Sequence, residues 1–191
     1  MARGADDPFC LTIALASYGV VLLALGQYDD ALTVLEESVK RGRKVSDRWA
    51  VALPLRNLAI IACRRGEYDR ARRLLEQSLR DLRIEGEKWF LSRSIETLGA
   101  VLVWQREHER ATHLLGAAEA LREAVGASVL AFYRADYDHA IAAARDALGS
   151  EAFDVYWREG RTLTPDAAVA YALGEAGPPG VSEDRRSFSE T

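Results

Sequence analysis

Apolar residues recur every three to four positions along almost the whole chain, the spacing that places them on one face of an α-helix. Leu74, Leu75, Leu79 and Leu82 form one such row. No segment alternates apolar and polar residues for long enough to predict a β-strand. The pattern therefore predicts an all-α protein. Helices are expected over six segments, at residues 9–25, 28–43, 47–65, 68–84, 88–104 and 108–125.

The same pattern returns with a 40-residue period, and no gap is needed to align the copies. A repeat of this length predicts a solenoid, in which each unit packs only against its neighbours. Each unit is expected to be an antiparallel pair of helices, and three units fit between residues 9 and 126. The aligned positions are Gly26, Tyr28, Ala31 and Leu35, then Gly66, Tyr68, Ala71 and Leu75, then Arg106, His108, Ala111 and Leu115.

The turn between the two helices of each unit falls at positions 26, 66 and 106. Gly26 and Gly66 can adopt a positive φ without steric cost, which suits a tight turn. Arg106 lacks that freedom. We therefore expect the third turn to be strained or differently shaped.

The period fails after residue 126, although apolar residues continue at helical spacing. We interpret residues 127–174 as capping helices, because an open solenoid end would otherwise expose an apolar face to water. Thr164 and Pro165 give the start signal of the last of these helices. Residues 1–8 form a short lead, and the polar segment 175–191 is predicted to be disordered.

The recurring Leu, Gly, Tyr, Ala and Leu positions resemble the tetratricopeptide repeat, over about residues 9–126. The usual period of that repeat is shorter, about 34 residues. The longer unit is similar to the long-helix variants in kinesin light chains and bacterial regulators. The resemblance implies a right-handed α-solenoid of three helix hairpins with C-terminal caps. It also implies a scaffold that binds a protein or peptide.

A narrower resemblance reaches residue 173. Three segments look like the C-terminal repeat arm of bacterial LuxR-type regulators, whose N-terminal part is a signalling ATPase. This resemblance implies a cytoplasmic sensing or assembly arm of a transcriptional regulator, with a nucleotide-binding signalling domain as partner in cis or in trans. No GxxxxGK[ST] phosphate motif is present, so ATPase activity is not carried over. The segments are SDRWAVALPLRNLAIIACRRGEYDRARRLLEQSL, ATHLLGAAEALREAVG and YDHAIAAARDALGSEAFDVYWREGRTLTPDAAVAYAL.

In tetratricopeptide proteins the first helix of each pair lines a concave groove, so polar residues on those helices are the candidate partner-binding residues. Several arginines facing one groove would suit carboxylates, through paired hydrogen bonds. The alternative is that these side chains are solvated surface residues, some of them paired with Glu96. The candidates are Arg56, Asn57, Arg64, Arg93, Glu96 and Trp104.

Two other functions stay open. A deep pocket walled by Trp104 would favour a receptor for a small effector, whereas a long open groove would favour a peptide. A structural module that associates with its own copies is the third interpretation, because an exposed solenoid end can pair with another.

Charge argues against direct nucleic-acid binding. The 191 residues include 25 Lys and Arg and 29 Asp and Glu, for a net charge of −4. The arginine-rich run at 64–83 is interrupted by Glu67, Asp69, Glu76 and Asp81. Interleaved signs are typical of a solvated helix with ion pairs between residues four apart.

The sequence predicts no catalytic residue, cofactor or metal site. His108 and His113 are five positions apart, on different sides of a helix, so they do not form a zinc pair. A GxSxG nucleophile pattern is also missing. Cys10 and Cys63 are expected to be reduced thiols on apolar helices, as in a cytoplasmic protein.

The uncharged stretch from Pro8 to Tyr28 is nearly long enough to span a bilayer. Gly26 interrupts it at the turn position of the repeat. We therefore expect no membrane role.

Overall fold

The computed structural model describes residues 8–45, 47–83 and 88–180. Every regular element in these ranges is an α-helix, which confirms the all-α prediction. The six predicted helices agree with the structure to within two positions at each end. The helices are α1 (Pro8–Ala24), α2 (Tyr28–Lys44), α3 (Arg48–Arg64), α4 (Tyr68–Leu82), α5 (Lys88–Trp104), α6 (His108–Ala124), α7 (Ala131–Leu148), α8 (Ser150–Arg161) and α9 (Pro165–Ala172).

The first six helices form a tetratricopeptide-like solenoid. They pair as hairpins, α1 with α2, α3 with α4 and α5 with α6, and each second helix also packs on the first helix of the next hairpin. The first helices contact one another along one layer. Most of the predicted lead (residues 1–7) and of the predicted tail (residues 181–191) lies outside the described residues.

Small residues allow the two helices of a hairpin to approach closely. A Cβ added to Gly19 would lie 2.5 Å from Leu35 Cδ2, and one added to Gly99 would lie 2.8 Å from Leu115 Cγ. Ala59, at the same repeat position, is completely buried. Larger side chains there would push the helices apart, because packed interiors leave no spare volume.

The third turn has the same shape as the other two, so the expectation of a different shape is wrong. The strain expected as the alternative lies in the backbone of Arg106. Arg106 has φ 64°, close to the 75° of Gly26 and Gly66. The hydrogen bonds also repeat: the amide of Gly66 donates to the Cys63 carbonyl at 2.9 Å, and that of Arg106 donates to Val103 at 3.0 Å. The left-handed conformation costs a residue with a Cβ about 1–2 kcal/mol.

Replacing Arg106 with glycine should therefore stabilise the chain. We expect Arg106→Gly to raise the free energy of unfolding by about 1 kcal/mol, because glycine adopts positive φ freely. Chemical denaturation followed by circular dichroism measures the change. Arg106→Ala is the matched control and should leave the stability near that of the wild type. An equal gain in both variants would locate the effect in the lost arginine side chain instead.

The C-terminal helices do not simply continue the stack. α8 packs along α6, in the place where a fourth first helix would lie, and α9 contacts α5 and α6. The α6–α8 approach is very close: a Cβ added to Gly116 would lie 2.4 Å from the Trp157 carbonyl oxygen. α7 is thereby displaced onto the layer of first helices, where it contacts α5.

The α1 helix contains most of the uncharged stretch from Pro8 to Tyr28, which continues through the turn to the start of α2. Among the described residues, no helix is both long enough and apolar enough to cross a membrane.

Candidate functional site

The six candidate residues face α7. We use the term first-helix face for the surface of α3 and α5 that carries them: Arg56, Asn57, Arg64, Arg93, Glu96 and Trp104. Their common side follows from the repeat, because first helices of successive hairpins lie side by side. α7 lies across this surface, so the side chains are neither simply solvated nor arranged along an open groove.

Tyr133 of α7 lies at the centre of the first-helix face. It is buried, and its ring centroid lies 4.8 Å from the guanidinium carbon of Arg56 and 5.3 Å from that of Arg93. Its hydroxyl donates a long hydrogen bond of 3.4 Å to Asn57 Oδ1. One aromatic ring thus contacts both guanidinium groups through cation–π interactions.

The two guanidinium groups beneath Tyr133 carry like charges in a poorly solvated place. Arg56 is 7% exposed; its Nε donates to the Arg93 carbonyl at 3.2 Å and its Nη1 donates to Asn57 Oδ1 at 3.2 Å. Burial, and then the charge of Arg56, lower the pKa of Arg93 to about 10. Within the described ranges, neither arginine forms an ion pair.

The Glu96 carboxylate interacts electrostatically with both arginines, but Arg122 of α6 pairs with it. The two form an ion pair in which the side chains are 12% and 11% exposed. Burial raises the pKa of Glu96, while Arg122, Arg56 and Arg93 act in the opposite direction. The Glu96 carboxylate is therefore paired with Arg122 and forms no ion pair with Arg56 or Arg93. The excess positive charge makes this part of the first-helix face suited to an anionic group.

Contacts at the other end of the first-helix face are more exposed. Arg64 donates to Asp136 of α7 at 2.5 Å and to the Tyr28 hydroxyl at 2.5 Å. Trp104 stacks on His139 of α7, with 5.1 Å between ring centroids. The Arg64–Asp136 pair is partly solvated, with side chains 36% and 54% exposed, so it contributes little to stability.

A cavity of about 230 Å³ remains between α3, α5 and α7. Trp104, Tyr68 and Ile60 form part of its wall, and Cys63 also lines it. Burial, and then Asp136, raise the pKa of the Cys63 thiol to about 11. The thiol therefore stays protonated at neutral pH and reacts slowly. Among the described residues, no three His, Cys, Asp or Glu side chains are grouped as a metal site requires.

The 40-residue repeat does not predict the α7 side of the site. Tyr133, Asp136 and His139 lie within residues 127–174, which the sequence predicts to be capping helices. One signal was available: Tyr133 and Tyr137 recur at helical spacing on one face beside Asp136. That row is aromatic and acidic, and so complements an arginine-lined surface.

His113 on α6 is a second group that the sequence did not reveal. It is 1% exposed, with Nε2 2.9 Å from Glu159 and Nδ1 3.2 Å from the Tyr171 hydroxyl. These contacts join α6 to α8 and α9. His113 therefore has a structural place in the cap and does not line the first-helix face.

Comparisons with known proteins find similarity over part of the chain. Residues 11–84 match the tetratricopeptide repeat. Proteins of Mycobacterium bovis and Mycobacterium tuberculosis that carry the name Putative HTH-type transcriptional regulator are 44% identical over 59 residues, which is 31% of this chain. The matched residues span only 7% of the length of these curated relatives. No solved structure matches the chain.

The sequence match and the helix packing both indicate tetratricopeptide-like hairpins. The chain is an all-α solenoid of tetratricopeptide-like hairpins, and the match over residues 11–84 covers the first two of them. Tetratricopeptide repeats generally bind proteins or peptides and are generally not catalytic. Over those residues, the chain is similar to a family of protein-interaction scaffolds.

Proposed function

We propose that the chain is a non-catalytic interaction scaffold, whose first-helix face binds a helical segment of a partner protein. The observation that carries the proposal is the position of α7. Five of the six candidate residues contact it, and these are Arg56, Asn57, Arg64, Arg93 and Trp104. α7 thus occupies the surface in the way that an amphipathic helix occupies a peptide-binding groove.

The chemistry of α7 indicates what a partner helix would carry. It presents the Tyr133 ring to two guanidinium groups and the Asp136 carboxylate to Arg64. A competing helix would need an aromatic residue and, about one turn away, an acidic residue on the same face. It would have to displace α7, whose effective concentration is on the millimolar scale because it belongs to the same chain.

We further propose that this scaffold is the sensing or assembly arm of a bacterial transcriptional regulator. The mycobacterial relatives named as HTH-type regulators support the proposal. In this arrangement residues 9–126 form the interaction unit, residues 127–174 form the cap, and a nucleotide-binding signalling domain is the partner in cis or in trans. An antibody against this chain tests it. A native product several times larger than 21.1 kDa is expected, and a product near 21.1 kDa contradicts an arm in cis.

Peptide competition tests the binding surface. Tyr133→Ser with Asp136→Lys, made together in the full chain, removes the central ring and places a lysine opposite Arg64, so α7 should leave the first-helix face. A fluorescein-labelled peptide of residues 129–148 should then bind the variant. We expect its apparent affinity for the wild type to be at least about tenfold weaker, because the intramolecular copy competes. Fluorescence anisotropy measures both affinities.

Two controls make that experiment decisive. In the first, the same peptide carrying both substitutions should not bind. In the second, mass spectrometry should show faster alkylation of Cys63 in the variant, because α7 no longer covers this residue. Equal binding to the wild type and the variant would place the peptide elsewhere. Fast alkylation without any peptide binding would show an uncovered surface that has no affinity for a helix.

A second candidate function rests on the cavity walled by Trp104. A small effector with an anionic group would fit between α3, α5 and α7 without displacing α7. Cys63 distinguishes the two functions. A small ligand in the cavity should slow its alkylation, whereas a helical ligand that displaces α7 should accelerate it.

A further inference from the structure

The first helix exposes a row of large apolar side chains, away from the first-helix face. Leu11, Tyr18, Val21 and Leu25 are 41%, 54%, 53% and 67% exposed. Their spacings of seven, three and four positions place them on one stripe of α1. The helix carries no charged residue between Pro8 and Ala24. The stripe is therefore a continuous apolar surface.

The 40-residue register shows what such a stripe contacts in the other hairpins. The positions of Leu11, Tyr18 and Val21 recur on α3 and on α5. Every equivalent residue is buried, with an exposure between 0% and 6%. The equivalents are Val51, Leu58 and Ile61 on α3, and Leu91, Leu98 and Val101 on α5.

These equivalents are buried by the second helix of the preceding hairpin. α2 packs on α3 and α4 packs on α5. On α2, Gly42 lies close to α3: an added Cβ would lie 2.9 Å from Val51 Cγ2. Val39, one turn earlier, is in the same apolar cluster as Val51. The same row on α4 consists of Leu79 and Leu82, both fully buried.

We infer that the exposed stripe of α1 binds the second helix of a further hairpin of this 40-residue type, which continues the solenoid in front of α1. The docking helix would present small or apolar residues at the positions of Val39 and Gly42, as α2 and α4 do. The stripe lies on a surface that the proposed peptide site does not use. Its partner is a repeat unit, and the occupied α2–α3 and α4–α5 interfaces provide the template for the contact.

A second copy of the chain offers no equivalent helix. The last second helix, α6, is already covered by α8 through the Gly116 and Gly160 contacts. The helices α2 and α4 are covered by α3 and α5. Within the described residues, a copy therefore has no uncovered second helix with which to cover the stripe.

The chain provides its own test hairpin, because residues 8, 48 and 88 are equivalent in the repeat. Residues 48–87 can be fused directly before residue 8, which keeps the 40-residue period. The added α4 copy should then cover Leu11, Tyr18 and Val21. We expect a single unfolding transition whose midpoint is at least about 5 °C above that of the unfused chain, because stability in solenoids grows with nearest-neighbour interfaces. Amides of α1 should also exchange hydrogen more slowly.

The control has the same fusion, with Leu79→Asp and Leu82→Asp made only in the added copy. This hairpin has the same length but cannot bury its row, so α1 should melt as it does in the unfused chain. Two separate transitions in the intact fusion, with unchanged exchange in α1, would overturn the inference. A concentration-dependent dimer of the unfused chain that Tyr18→Glu dissolves would also overturn it, since a second copy would then occupy the stripe.

Discussion

Gly160→Ala should destabilise the chain by about 3 kcal/mol or more, although alanine normally favours a helix over glycine by about 1 kcal/mol. A Cβ at Gly160 of α8 would lie 2.0 Å from the carbonyl oxygen of His113 on α6. Both partners belong to the backbone, so no side-chain rotation relieves the clash and α8 has to move away. The contacts of Phe153 and Glu159 with the rest of the core would be lost with it.

Thermal unfolding followed by circular dichroism measures this loss. At about 2–4 °C per kcal/mol for a chain of this size, the midpoint should fall by roughly 6–12 °C. Gly126→Ala is the control, because that glycine has φ 65° and nothing lies within 4 Å of an added Cβ. It should cost only about 1 kcal/mol from its backbone conformation. A larger loss in the control would disprove the tight α6–α8 contact as the cause.

Arg93→Met, in contrast, should raise the free energy of unfolding by an amount on the order of 1 kcal/mol. A well-packed apolar side chain often replaces a buried charge without loss of stability. The lowered pKa of Arg93 shows that the native state disfavours its charge, because of burial and the charge of Arg56. A fall in the Arg93 pKa from 12.5 to about 10 corresponds to about 3 kcal/mol of free energy. The variant gains only part of this, because it also loses the contact between Arg93 and the Trp89 ring. Methionine keeps the apolar length and removes the charge.

The pH dependence follows from the same pKa. A folded-state pKa lowered to about 10 means that the charge on Arg93 reduces stability at every pH below about 10. The difference in free energy of unfolding between Arg93→Met and the wild type should therefore be constant between pH 6 and pH 8. Arg93→Lys retains the charge and should show no gain. A methionine variant less stable than the wild type would mean that the stacking outweighs the conflict between the charges.

A stabilising Arg93→Met would also bear on function. Sites shaped for binding often retain charges that reduce stability, since a ligand compensates them only when it binds. Under the proposed function, the same variant should bind an aromatic and acidic helix more weakly. Opposite effects on stability and on peptide affinity would be evidence that the two arginines are kept for a ligand and not for the fold.

Much of the fold could be predicted because the interactions that specify it are local. The helical periodicity determines each helix, and the glycines of the turns determine where one helix ends and the next begins. The fixed 40-residue register then determines the stacking, since equivalent helix faces pack against each other in successive repeats. Even Arg106 adopts the conformation of the equivalent glycines, because the flanking helices hold the turn in place.

The candidate site could be predicted only on one side. The repeat placed Arg56, Arg64 and Arg93 on one surface, but it carried no information about α7, which lies outside the period. The polar and aromatic residues of α7 have the spacing that an ordinary capping helix also shows. Only the contacts of Tyr133 with Arg56 and of Asp136 with Arg64, which join segments far apart in the chain, show that α7 covers the first-helix face.

The sequence by itself thus determined the helices, the hairpins, their order and the residues of the first-helix face. The tertiary structure decided where α7 lies and what the arginines contact. The physical reason is the α6–α8 contact at Gly116 and Gly160. Because α8 takes the place of the next first helix, α7 cannot continue the stack and packs across the first helices. Long-range packing, and not local periodicity, determines this position.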